Sequence, residues 1–102
     1  MARKDMDIKL AELFCTVGSN IIRLRAGKGM SQKELVEKSG VSRTTINLTE
    51  QGVPCSCTNL LKIAIALEVK PADLFLTDQD RREVTYKTKL LFDKLSELMN
   101  LK

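Results

Sequence analysis

A chain of 102 residues with 43% hydrophobic and 29% charged residues has the make-up of one globular domain with a single core. Seventeen Lys and Arg against thirteen Asp and Glu leave a net charge of +4, which permits a polyanionic partner without demanding one. The longest apolar run, IAIAL at 63–67, is too short to cross a bilayer, so no membrane partner is expected.

The start, MARKDMDIKLAE, places Asp5, Asp7 and Glu12 where an export signal needs an apolar stretch, so the expected location is the cytoplasm. No histidine is present to serve as general base. The nearest thing to a phosphate loop, Gly27-Lys28-Gly29, lacks the upstream glycine and the following Ser or Thr. Cys15, Cys55 and Cys57 are too few for a structural zinc site. An enzyme, a cofactor and a bound metal are therefore not expected.

Hydrophobic spacing is helical throughout. Leu10, Phe14, Val17, Ile21 and Leu24 advance in alternating steps of four and three, which predicts a first helix over about 7–28 with one buried face. Gly18 inside it costs about 1 kcal/mol relative to alanine, which allows a kink or an earlier break there. Ser31 and Glu34 have capping-box spacing and open a second helix over 32–38, with Leu35 and Val36 inward. Gly40 closes it in the left-handed region.

Ser42 then caps a third helix over 43–51, ended by Gly52, and Ser56 caps a fourth through Leu67. The fourth presents Leu60, Leu61, Ile63, Ala64 and Leu67 as its apolar face. Pro71 fits the first turn of a fifth short helix reaching Phe75 or Leu76. Beyond the charged stretch TDQDRR at 77–82, Leu91, Leu95 and Leu98 with Leu90, Phe92 and Met99 predict a last amphipathic helix of about 18 residues. Phe14, Phe75, Tyr86 and Phe92 fall on helical stripes and are expected in the core, which argues against a stacking platform for single strands.

Two short helices, each capped by its own serine and joined at Ser39-Gly40-Val41, describe an αα-corner. In its helix-turn-helix form the second helix lies in a DNA major groove. On helix three Ile46 points inward, while Arg43, Thr44 and Asn47 share another arc. These are base-edge residues: Arg forks onto guanine, Asn pairs with adenine, and Thr offers a hydroxyl and a methyl. A cation at a helix N-terminus opposes the dipole. With Ser42 capping the backbone, Arg43 is free to extend past the helix end toward a guanine edge.

Residues 17–75 resemble the Cro/CI-type (Xre, lambda-repressor-like) helix-turn-helix family. The landmarks are Gly18, Ile21, Leu24-Arg25, Lys28-Gly29-Met30-Ser31-Gln32, Leu35, Gly40-Val41-Ser42, Ile46, Glu50, Gly52 and Leu60-Leu61-Lys62-Ile63-Ala64 with Leu67. The resemblance implies an all-α, five-helix domain over 17–76, an N-terminal helical extension over 1–16 and a C-terminal helix over 77–102. It also implies roles. Gln32 would contact a phosphate and brace the start of helix three. Arg43 and Thr44 would read bases, with Asn47 deeper in the groove, and Ser42, Thr45 and Gln51 would complete the DNA-facing set through the backbone. Arg25 and Glu50 would form a partly buried structural pair.

Three residues depart from the family pattern: Val36 for the usual Ala, Thr49 for an aliphatic, and Leu48 at a commonly polar site. They imply a slightly wider crossing of helices two and three, and a small rotation of helix three or a Leu48 contact with DNA or a partner. Arg43-Thr44 after a KGMSQ-like start is similar to the controller proteins of restriction–modification systems.

One short recognition helix reads only a few base pairs, so such domains bind as two-fold dimers. A homodimer on a palindromic double-stranded operator is therefore expected, with RNA polymerase a further partner if it activates. Leu91, Leu95 and Leu98 are the candidate dimer seam, with contacts around helices four and five; the alternative is that the last helix folds back on its own domain. Phage-type repressors and antitoxins share the fold. The reading from another class is a helical protein-interaction module without DNA binding.

Overall fold

The computed structural model describes residues 2–99 and is helical throughout that span, with no strand among the described residues. The expected end segments 1–16 and 77–102 also include Met1 and residues 100–102, which lie outside the described residues. In chain order the elements are α1 (Arg3–Gly27), α2 (Gln32–Ser39), α3 (Arg43–Glu50), α4 (Cys57–Ala66), a 3-10 turn (Pro71–Phe75) and α5 (Asp78–Leu98).

Local chemistry sets most of these boundaries. The Ser31 hydroxyl accepts from the Glu34 backbone N–H at 3.1 Å, Ser42 from Thr45 at 3.2 Å and Ser56 from Asn59 at 3.1 Å, each satisfying one orphan donor of a first turn. The box at α2 is half-made: the Ser31 hydroxyl donates to the Glu34 carboxylate at 3.4 Å, and that carboxylate does not reach back to the Ser31 backbone. Gly40 has φ 73° and closes α2 through its N–H on the Val36 carbonyl. The expected fifth helix is a tighter 3-10 turn opened by Pro71.

α1 begins earlier than its apolar stripe suggests and runs unbroken through Gly18. The glycine serves an approach between helices. A Cβ there would stand 2.6 Å from the Thr49 carbonyl oxygen and 2.7 Å from that of Glu50, so only a residue without a side chain lets α1 cross the end of α3 this closely.

The core consists of Val17, Ile21, Met30, Leu35, Val41, Ile46, Leu60, Ile63, Ala64, Leu67 and Leu74. α1 packs on α3 and the 3-10 turn, and α2 packs on α3 and α4. Each fully buried aliphatic side chain here contributes about 1.5–3 kcal/mol through removal of its surface from water.

Four expectations about burial fail. Leu10, at the outer end of the α1 stripe, and Leu61, on α4, are both exposed. Tyr86 and Phe92 are exposed on α5 and not in the core. The last two fail because α5 buries none of its residues, so the fold-back alternative for the last helix is not what the structure adopts. The Cα radius of gyration is 17.4 Å, against about 13 Å for a compact chain of this length.

What holds α5 to the domain is a polar clasp. Asn20, only 4% exposed, donates from Nδ2 to the carbonyls of Leu74 at 2.9 Å and Leu76 at 2.8 Å. Its Oδ1 accepts from Arg81 Nη1 at 3.0 Å, and the same nitrogen donates to the Leu76 carbonyl at 3.0 Å. Arg81 also pairs with Asp78. One buried amide thus closes the 3-10 turn and fixes the direction in which α5 leaves.

Candidate nucleic-acid interface

The α2–turn–α3 corner is held from behind by a second polar network. Arg25 of α1 grips the Glu50 carboxylate with two parallel bonds, Nε to Oε2 at 2.9 Å and Nη2 to Oε1 at 3.1 Å. Its remaining Nη1 donates to the Met30 carbonyl at 3.0 Å. The Glu50 side chain is 5% exposed and that of Arg25 18%. A bidentate, charge-assisted pair in this setting is strong and geometrically specific, and removing one partner strands a buried charge.

Gln32 joins the network from the first turn of α2. Its Nε2 donates to Glu50 Oε1 at 2.9 Å and lies 3.5 Å from Asn47 Oδ1. The brace therefore reaches the second half of α3, not its start as the resemblance implied, because Glu50 is the strongest acceptor within the amide's reach. Three helices are tied at one carboxylate.

At the opposite end of α3 the Ser42 hydroxyl caps the Thr45 N–H and donates to Thr45 Oγ1 at 2.9 Å. This leaves Thr45 half-buried and oriented by its neighbour. Ile46, fully buried, pins the inner face. Thr49, which replaces an aliphatic, is also buried, and its hydroxyl donates to the Thr45 carbonyl at 2.7 Å. No buried side-chain polar atom among the described residues lacks a partner. The substitution is accommodated by back-bonding within the helix.

The outer face of the corner carries Arg43, Thr44, Asn47, Leu48 and Gln51, all exposed, with Ser42 exposed beside them. Arg43 makes no ion pair or hydrogen bond within the described residues and stands at the N-terminal end of α3. The structure thus gathers the expected set, Gln32, Ser42, Arg43, Thr44, Thr45, Asn47 and Gln51, around one short helix. Leu91, Leu95 and Leu98 lie apart from it on α5.

Among the described residues no three metal-ligating side chains cluster. The cysteines are free thiols, Cys15 and Cys57 exposed and Cys55 half-buried against the core. No described helix is long and apolar enough to cross a membrane.

Sequence reasoning missed Asn20 and Arg81, the two residues that close the 3-10 turn and fix the direction of α5. A polar side chain set beside Val17 and Ile21 on an otherwise apolar arc was the available signal for the first.

Comparison with known proteins bears on the same region. Residues 20–80 match the Cro/C1-type HTH DNA-binding domain family. Two solved structures are similar. The restriction-modification controller protein C.AhdI from Aeromonas hydrophila is 36% identical, covering 61% of this chain and 96% of that one with a TM-score of 0.58. The hypothetical transcription factor NHTF from Neisseria is 32% identical, covering 71% and 84% with a TM-score of 0.66. No curated protein matches the chain at a significant level.

Proposed function

The chain belongs to the Cro/C1-type helix-turn-helix DNA-binding family, and from that premise we propose that this DNA-binding transcriptional regulator acts as a homodimer on a short palindromic operator. The observation that carries the reading is the exposed edge Arg43–Thr44–Asn47, standing on a helix whose buried side is locked by Ile46 and the Arg25–Glu50–Gln32 network. A reading helix must be rigid before contact, since ordering it on DNA would cost affinity.

In this reading Arg43 forks onto guanine O6 and N7 and Thr44 touches the neighbouring base. Asn47 lies deeper, with Leu48 offering an apolar contact to a thymine methyl. Gln32, Ser42, Thr45 and Gln51 meet the phosphates and fix register without carrying sequence information. Two copies related by a dyad place their reading edges about 34 Å apart. Leu91, Leu95 and Leu98, with the exposed Leu61 and Ile65 of α4, form the contact between copies.

The likeness to a restriction-modification controller supports a role in controlling restriction–modification genes and its own gene, with RNA polymerase as a partner where it activates. Selection of bound fragments from random duplex DNA tests the reading, and should return an inverted repeat. Arg43→Ala should cost about 1–3 kcal/mol at one base pair of each half-site with no change in melting temperature. Unaltered discrimination in that variant removes Arg43 as the reader. Absence of any enriched site favours a protein-interaction module.

A further inference from the structure

We propose that α5 pairs with α5 of a second copy as a parallel two-stranded coiled coil along Val84, Thr88, Leu91, Leu95 and Leu98. The inference rests on the dimer reading above and gives it direction and register. These five residues advance by steps of four, three, four and three, the spacing that keeps one seam facing a partner helix. With Thr88 and Leu95 at a, and Val84, Leu91 and Leu98 at d, Phe92 and Met99 fall at the flanking e positions. Thr88 at a with Leu91 and Leu98 at d follows the pattern of two-stranded pairs, a β-branched a with leucine at d, while Leu95 at a and Val84 at d depart from it.

Nothing in the chain's own described residues covers this face. Val84, Leu91, Phe92, Leu95, Leu98 and Met99 are 57%, 62%, 71%, 49%, 82% and 65% exposed. Their exposed area amounts to roughly 700 Å² per copy, near the ~800 Å² per partner of a standard interface. A second copy presents the same stripe, and two-fold association makes it self-complementary.

Charge sets the direction. The g positions are Lys87 and Lys94. In an antiparallel pair g faces g, so Lys87 would oppose Lys94 of the other copy. In a parallel pair g faces e, which sets each lysine stem and ammonium beside Phe92 or Met99 of the other copy, an arrangement that covers apolar surface and adds a cation–π contact. Arg81, the a position one heptad before Thr88, is withdrawn from the seam because Asn20 holds it. The pairing therefore begins at Val84, with both domains at the same end.

The experiment combines sedimentation with cross-linking of single-cysteine additions, the wild-type chain with its three native cysteines serving as control. Leu98→Cys treated with a short bismaleimide should give a covalent dimer well above the control. A mixture of Val84→Cys and Leu95→Cys should not cross-link between the two variants. Leu91→Asp/Leu95→Asp should weaken self-association about a hundredfold or more, as two charges enter an apolar seam, while helical content and melting of the dilute protein stay unchanged because α5 adds nothing to the core. Dimers that cross-link only between positions 84 and 95, or that persist in the double aspartate variant, overturn the parallel seam and leave the dimer reading standing. Wild-type chains that sediment only as monomers overturn both.

Discussion

α1 and α5 are helices of 25 and 21 residues that carry the same alternating apolar spacing and put it to opposite use. The stripe of α1 disappears into the core from Val17 onward, whereas that of α5 meets nothing among the described residues of its own chain. Periodicity specifies that a face wants cover; it does not say which molecule supplies the cover. The difference lies in polar anchoring. α1 is tied to α3 at Gly18 and Arg25 by contacts that tolerate no change of distance, while α5 is tied only at its first turn.

The anchors of α1 carry the largest expected effects. Arg25→Ala leaves the Glu50 carboxylate buried with Gln32 as its remaining partner. It should cost about 3–5 kcal/mol and lower the thermal midpoint by on the order of 15 °C or more. A shift of only a degree or two, read by calorimetry, shows the pair to be as weak as an exposed one.

Gly18→Ala is next. The added methyl must displace two backbone carbonyls that lie closer than any ordinary contact, and about 3 kcal/mol is expected from the forced separation of α1 and α3. Gly27→Ala, at the end of the same helix with open space around its Cβ, should instead be neutral or stabilising by up to about 1 kcal/mol. Equal effects in urea melts of the two variants refute the close approach as the reason for Gly18.

These two residues also mark what a sequence conveys. The serine caps of α2, α3 and α4 and the left-handed Gly40 were legible because each is decided within about four residues of chain. The exposure of Arg43, Thr44 and Asn47 on one arc was legible for the same reason: a cap, a buried Ile46 and helical spacing place it. Gly18 read as a weak point in a helix, since its purpose depends on where residues 49 and 50 arrive. Arg81 was not legible at all, and Asn20 only as a polar side chain interrupting the apolar arc of α1. The partners of Asn20 lie 53 to 61 positions away, and no local rule connects them. Tyr86 and Phe92 failed as core residues because a stripe drawn along one helix carries no record of what it packs against.

Arg81→Ala tests the anchor of α5 with a smaller expected effect. Asn20 Oδ1 loses its donor, a cost of about 1 kcal/mol for a buried acceptor, while the apolar core is untouched. The seam from Val84 onward should still pair, but the direction of α5 relative to α3 is no longer fixed. Gel shifts on operators with half-sites moved apart or together by one base pair should show a broader tolerance than wild type. Unchanged spacing preference means that contacts between copies, and not the clasp, set the distance between reading edges.

The smallest effect concerns the first turn of α5 itself. Thr77 and Asp80 form a reciprocal capping box, the Thr77 N–H donating to Asp80 Oδ2 at 3.0 Å and the Asp80 N–H to Thr77 Oγ1 at 3.1 Å. The backbone bond from Thr77, then the bond to its side chain, with a further contribution from the charge of Arg81, hold the Asp80 carboxyl below its ordinary value of 3.8. A carboxylate whose folded value is depressed stabilises the fold fully above the unfolded value and loses that contribution as pH falls through the folded one. The box should therefore hold through the ordinary carboxylate range and open only as pH falls through the lowered folded value, fraying the turn that carries Arg81 before the core responds. Carbon-detected NMR titration of Asp80 should give a midpoint under 3.8 with a parallel loss of the Thr77 amide shift, and Asp80→Asn should abolish that step. A midpoint at or above the ordinary value would mean that the reciprocal bond does not persist in solution, and that Asn20 alone orients α5.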